Sequence, residues 1–308
     1  MVDAASGWKP EREVEIVATT PPGGGTDRSA RALHKSIEAN RLLDVPSKVV
    51  NIAGDGGRKA WVELAPRAGD PHIIAISSPN LATDFLTGIV KQQLPHTPVA
   101  ILYTEYMAFL TRADSPIRTG ADFLKKLSVD PKGVTLAIST SIGNPNHIAA
   151  AKIIKHAGAD TKAPKIRVFD SARDGVIDVM AGNSDVGVVT AASAVPELQS
   201  GQARSIAVTA PTRLHGVFAS SLTWKEQSVD CVIGSWRGGA GVAGISAASV
   251  RYWEGVLSEA VRTKEWKEEC EKYFWTEMYL DGAELKSYLD TEYSDFKAAL
   301  GDLGLLAI

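Results

Sequence analysis

Pro21-Pro22-Gly23-Gly24-Gly25-Thr26-Asp27 is the stretch whose residue types come closest to doing chemistry. Three successive residues without a Cβ stand just ahead of a segment in which Ala30, Leu33, His34 and Ile37 recur at helical spacing. At such a junction the unpaired backbone N–H groups and the helix dipole attract an anion, and glycine lets the backbone approach it closely. The same residues also suit a tight turn that packs strand against helix, with Thr26 or Asp27 as the helix cap. The Gly-Lys-Ser/Thr ending of a nucleoside-triphosphate loop is missing, and so is the Gly-x-Gly-x-x-Gly spacing of dinucleotide binders.

A second stretch, Ser139-Thr140-Ser141-Ile142-Gly143-Asn144-Pro145-Asn146 followed by His147, sets hydroxyls and amides ahead of another helical segment. These are neutral donors suited to an oxyanion, and equally they are ordinary turn and cap residues. What raises their interest is that both loops occupy corresponding places in two similar units. Catalytic patterns are missing: the chain has neither a Gly-x-Ser-x-Gly elbow nor a His-Glu-x-x-His pair. The six histidines are scattered singly, and Asp27 and His147, the groups one would nominate as a base, have no neighbour in sequence that tunes them. Cys231 and Cys270 fit neither a zinc site nor a disulfide scaffold and read as buried thiols, their pairing left open. No enzyme activity, metal or cofactor is expected.

These loops need elements to hold them. Val14 to Thr19 reads as a strand stopped by the glycine loop, with a helix after it. Lys48 to Ile52, the turn Gly54-Asp55-Gly56-Gly57, a helix from about Lys59 to Ala65 and the strand Ile73 to Ser77 repeat the unit. Val99 to Leu110, a helix over Gly120 to Leu127 and the strand Thr135 to Ser139 begin a second series. His147 to Ala157 and Gly175 to Ala181 follow as helices, with Ile166 to Phe169, Val186 to Thr190 and Ser205 to Thr209 as strands. The tail from Ala247 to Leu300 reads as helical, with Trp253, Val256, Leu257, Val261 and Trp266 on one stripe that packs back on the first lobe. Alternation of this kind builds a mostly parallel sheet covered by helices, and ligands then sit beyond the carboxyl ends of its strands.

Across 308 residues the net charge is −3 with Lys and Arg dispersed, so no basic face for nucleic acid is expected. No run approaches the ~20 apolar residues of a membrane span. Met1 to Gly7 lacks the basic and apolar segments of a secretory leader and reads as a mature or artificial start.

At its two loops the sequence resembles the receptor family of tripartite tricarboxylate transporters, the Bug-type solute-binding proteins. Beside those loops the resemblance is carried, in order, by Asp178-Val179-Met180-Ala181-Gly182-Asn183-Ser184-Asp185-Val186, Gly201-Gln202-Ala203-Arg204-Ser205-Ile206-Ala207-Val208-Thr209 and Ser235-Trp236-Arg237-Gly238. It implies an α/β type II periplasmic binding protein fold, with two α/β lobes, a ligand cleft between them and two crossovers. We place the lobes at 8–108 plus 238–308 and at 109–237. The resemblance implies capture of a small di-, tri- or aromatic carboxylate in the periplasm for the membrane permease subunits of a tripartite transporter, without catalysis. A sensor subunit for a signalling receptor, or an enzyme acting on a carboxylate, are the alternatives. Carried over by position, the ligand set is Gly23, Gly24, Gly25, Thr26, Asp27 and Ser78 from one lobe. From the other come Ser139, Ser141, Gly143, Asn144, Asn146, His147, Phe169, Ser171 and Thr190. Ser141 stands where the family often has glycine, Asn144 to Asn146 where it has serines or threonines, and Val189 where it has an acid or amide. The last departure disfavours amino acids as ligands. Arg237 beside Trp236 suits either a distal carboxylate or packing near a crossover.

Overall fold

The structure is a computed structural model that describes residues 7–307, so the expectation for the first six residues and the last residue of the expected first lobe lie outside it. In chain order the elements are β1 (Val14–Ala18), α1 (Gly25–Asn40), β2 (Ser47–Asn51), α2 (Arg58–Leu64), β3 (Ile73–Ser77) and α3 (Asn80–Leu86). They continue with β4 (His96–Arg112), α4 (Gly120–Val129), β5 (Thr135–Ser139), α5 (Pro145–His156), β6 (Lys165–Phe169), α6 (Ala172–Met180) and β7 (Val186–Thr190). The last are α7 (Ala191–Gln199), β8 (Ala203–Val208), β9 (Gly234–Val242), α8 (Ala247–Ala260), α9 (Lys264–Tyr273), β10 (Thr276–Asp281) and α10 (Gly282–Asp302). Two compact units result. The first holds the residues through Ser78, Gln93–Thr104 and Trp236–Glu292, and the second holds Pro79–Gln92, Glu105–Ser235 and the residues from Tyr293 on.

In the first unit β1 lies between β2 and β3, parallel to both, with Ile16 opposite Val49 and Ile74. A strand paired on both edges and covered on both faces reads as a continuous apolar run, and Val14, Ile16, Val17 and Ala18 have no exposed surface. β9 runs antiparallel to β3, and β10 antiparallel to the first half of β4. Glycine lets β9 fit there: a Cβ on Gly238 would run into the Ala100 carbonyl oxygen. Leu33 and Ile37 of α1 pack with Trp253, Leu257 and Trp266 over this sheet, and Tyr103 stacks on Trp275 at 4.0 Å between ring centroids.

The second unit repeats the arrangement. β5 runs parallel to β6 and β7, and the second half of β4 lies antiparallel to β7 and β8. Phe109, Leu136, Ile138, Ile153, Val188 and Trp224 form its core, with Trp224 edge-on to Phe109. Cys231 is buried here and Cys270 in the core of the first unit, both as free thiols.

Several expectations differ from what is observed. The tail is not continuously helical: β10 interrupts it, and the stripe is divided between α8 and α9. From Tyr293 onward α10 belongs to the second unit, where Phe296, Leu300 and Leu303 pack with Leu86 and Ile148. That cluster is why residues 79–92 and the end of the chain group with the second unit, whereas the sequence placed them in the first. α3, α7 and β9 were not foreseen.

Candidate carboxylate-binding loops

In the first unit β1 delivers the chain to Thr19 and Thr20, and the glycine loop turns it into α1. The helix cap is Gly24, with no side-chain cap bond; Thr26 and Asp27, expected as caps, lie in the first turn. Their side chains are drawn elsewhere. The Thr26 hydroxyl sits 2.9 Å from Thr20 Oγ1 and 3.3 Å from Thr19 Oγ1. The Asp27 carboxylate reaches back to accept the Gly23 amide at 2.8 Å, Asn51 Nδ2 at 2.8 Å and Arg31 Nε at 3.0 Å. Burial pushes the Asp27 carboxyl up, but the Arg31, Gly23 and Asn51 bonds outweigh it and hold it below the usual carboxylate range. Asp27 is therefore ionised and fully engaged, which suits a brace and not a base.

What the loop still offers a ligand lies in its backbone donors. Gly23 gives its N–H to Asp27, Gly24 to the Pro21 carbonyl at 2.9 Å, and Asp27 to Thr20 Oγ1 at 3.2 Å. The Gly25 and Thr26 amides have no partner among the described residues, so this helix end presents two adjacent N–H groups. Gly23 requires glycine for its φ of +82°, and a Cβ on Gly24 would meet the Thr20 side chain. Ser78 follows β3 and is half-buried, with no hydrogen bond to the glycine loop. The turn at Gly54-Asp55-Gly56-Gly57 has positive φ at all four residues and packs Gly57 against Thr19, as a structural turn does.

The second unit builds its loop between β5 and α5. Asn144 caps α5, its Oδ1 accepting the His147 amide at 3.0 Å, while Nδ2 donates to the Ser139 carbonyl at 2.6 Å and to Thr140 Oγ1 at 2.8 Å. Both amide protons are thus engaged inside the protein, and Asn144 positions the loop. Asn146 donates to the Val188 carbonyl at 2.8 Å, tying α5 to β7. His147 accepts the Gly143 amide on Nδ1 at 2.9 Å, which leaves its proton on Nε2. Burial lowers this imidazole to about 4, so the ring is neutral near pH 7. The Ser141 hydroxyl is buried and has no partner among the described residues.

Thr140 adopts φ of +68°, a conformation a β-branched residue holds only under constraint, at a cost of about 1–3 kcal/mol. Phe169, half-buried, accepts the Thr140 amide on its carbonyl at 2.6 Å. Ser171 caps α6 and exchanges bonds with Asp174, and Thr190 pairs with Ser193 at 3.0 Å. In this unit the structure therefore brings Ser139, Ser141, Gly143, Asn144, Asn146, His147 and Phe169 together, joined by hydrogen bonds or chain continuity. The braces Thr20, Arg31, Asn51, Thr140 and Asn80, whose Nδ2 donates to Thr140 Oγ1 at 2.8 Å, were missed; Asn51 and Asn80 meet partners remote in sequence, whereas Arg31 lies one helical turn from Asp27, a spacing that could have signalled the pair. Arg237 lies on β9 in the first unit and donates to the Trp236 carbonyl at 2.9 Å, while Trp236 Nε1 donates to Glu292 at 2.6 Å. Among the described residues no cluster of His, Cys, Asp and Glu forms a metal site, and no helix is long and apolar enough to cross a membrane.

Residues 35–303 match the family described as the tripartite tricarboxylate transporter family receptor. The chain belongs to this receptor family. The matched stretch includes the second loop and begins after the glycine loop, whose role thus rests on its geometry. A Pseudomonas sp. (strain P51) protein described as "UPF0065 protein in tcbD-tcbE intergenic region" is 28% identical over 66% of this chain and 60% of its own length. The chain spans only about 60% of the length of the curated relatives it matches. Among solved structures, R. palustris Rpa4515 with adipate superposes with a TM-score of 0.87 at 16% identity, covering 97% of this chain and 99% of that one. MatC from Rhodopseudomonas palustris with bound malate gives a TM-score of 0.79 at 19% identity, covering 94% and 99%. These likenesses show that the chain shares the α/β fold of these two proteins.

Proposed function

We propose that this receptor-family member captures a small carboxylate in the periplasm and presents it to the membrane permease subunits of a tripartite transporter. The observation that carries the reading is the pair of unengaged amides of Gly25 and Thr26 at the start of α1, in a loop whose other polar groups are pinned by the protein itself. Backbone donors take a carboxylate without burying a competing cation, whose desolvation costs several kcal/mol. In the second unit the Ser141 hydroxyl and His147 Nε2–H are further donors, with Asn144 and Thr140 holding them. The bound malate and adipate of the two structural neighbours favour a dicarboxylate. Asp27 and His147, the nominated bases, are both engaged as braces, which favours binding over catalysis.

A thermal-shift panel of malate, adipate, citrate and benzoate, with amino acids and sugars as controls, tests this. A ligand present at a hundred times its Kd stabilises the native state by about 2.7 kcal/mol. Gly25→Pro then removes one donor at a helix position where proline is tolerated, after a residue already extended at ψ of 173°. The variant should keep its fold and lose roughly tenfold or more in carboxylate affinity. Silence of the wild type toward every carboxylate, or turnover of one of them, refutes the reading.

A further inference from the structure

The Ser139 carbonyl oxygen is the acceptor that would repel an anion at the second loop, and the structure covers it with three donors. Thr140 Oγ1 lies at 2.8 Å, the Ser141 amide at 3.0 Å and Asn144 Nδ2 at 2.6 Å. The Ser141 bond closes a tight turn centred on Thr140, and this turn exists because Thr140 holds φ of +68°. Thr140 is held there from three sides. Its amide donates to the Phe169 carbonyl at the end of β6, and its hydroxyl accepts Asn144 Nδ2 from the cap of α5 and Asn80 Nδ2, at 2.8 Å, from the start of α3. Directly after the turn comes the buried, unpartnered hydroxyl of Ser141. An oxyanion would supply the acceptor that this hydroxyl lacks.

We propose that Thr140 is a positioning residue for carboxylate binding: its left-handed backbone turns the Ser139 carbonyl inward, under its three donors, and leaves the buried Ser141 hydroxyl as the unengaged donor of the loop, with Asn80 as the clamp. The inference rests on the carboxylate-binding reading and goes beyond it in assigning the role to a backbone conformation and not to a side chain that touches ligand. Strain of this kind persists where the surroundings over-determine it, and Thr140 has four hydrogen bonds to do so.

The test is the order of affinities among Thr140→Ala, Thr140→Gly and wild type, read by calorimetric titration with malate, adipate, citrate and benzoate. Alanine keeps the penalty for positive φ and loses the hydroxyl that clamps it, so the turn relaxes and affinity falls roughly tenfold. Glycine loses the same hydroxyl and one carbon more but adopts positive φ freely, so it restores affinity to within about threefold of wild type. A side chain acting by contact gives the opposite order, with glycine no better than alanine, and that result overturns the proposal. Equal affinity of all three proteins overturns it as well. Asn80→Ala gives an independent arm if Thr140→Ala does not fold: it must weaken binding in the Thr140 background and not in the Thr140→Gly background, where no clamp is needed. Melting temperatures without ligand accompany each variant, since a change in stability alone moves them without inverting the affinity order. A wild type that binds none of the four acids removes the carboxylate reading itself, whereas a binding wild type with the wrong order removes only the role of Thr140.

Discussion

Lowering the pH from 7 to 4.5 should destabilise this protein through His147, and His147→Asn should remove that dependence. The ring is almost wholly buried and burial holds it at about 4, against an ordinary value of 6.5. The unfolded chain therefore takes up a proton below pH 6.5 that the folded chain refuses until about pH 4. The sign is unambiguous: this contribution is fully present above 6.5 and is lost progressively as pH falls through the window. With 1.36 kcal/mol for each pH unit, about 2 kcal/mol is lost at pH 5 and about 3 kcal/mol by pH 4. Asparagine suits the test because its carbonyl oxygen falls near the place of Nδ1 and still accepts the Gly143 amide, yet it has no proton to gain. Urea denaturation of both proteins at half-unit steps from pH 7 to 4.5 gives the answer as a difference of slopes. The variant starts lower, by about 1–2 kcal/mol for lost packing, and the gap closes as pH falls. If wild type and variant lose stability in parallel across the window, the buried neutral imidazole is not what the geometry says it is.

Asp27→Asn should cost about 2–3 kcal/mol at pH 7, because the new amide faces the donors of Gly23, Asn51 and Arg31; urea denaturation measures it. With its folded value held below 3.8, Asp27 stabilises fully above that pH, and the wild-type advantage disappears as pH falls below it. Asp70 accepts Arg12 at 2.8 Å and the His72 amide at 3.1 Å; burial pushes its carboxyl up, but these bonds prevail and bring it to about 2. Asp70→Asn should therefore lose about 1 kcal/mol at pH 7, after allowance for solvent around Arg12, and match wild type once the pH is lowered from 4 to 2, as acid titration by circular dichroism checks.

How much of this was legible in the sequence depends on the range of the signal. The strands ending at Ala18, Ser77, Ser139 and Thr190 announce themselves as short apolar runs, and the glycine and serine loops as abrupt stops. β9 did not, because Gly238, Gly239 and Gly241 weaken any strand signal; their use is steric, against Ala100, Leu257 and Ile245, and appears only when those neighbours are in place. β10 was hidden between charged helical segments, and only its pairing with β4 makes it a strand. At the loops, residue types singled out the two segments but not how the structure engages each side chain. Asp27 and Asn144 read as ligand groups, yet partners such as Asn51, 24 residues away from Asp27, engage them as braces. Nothing in the letter Thr at 140 signals positive φ, and its clamp Asn80 is 60 residues distant.

The two free thiols sit in separate cores, Cys231 with Trp224 and Phe109, Cys270 with Trp266 and Trp275. Burial pushes both thiols up to about 12, so neither forms appreciable thiolate while its unit is folded. In an oxidising compartment the folded chain thus shields both sulfurs from oxidation. The hazard is confined to the interval before the cores close, when a bond between the two sulfurs would staple together residues that belong to different interiors.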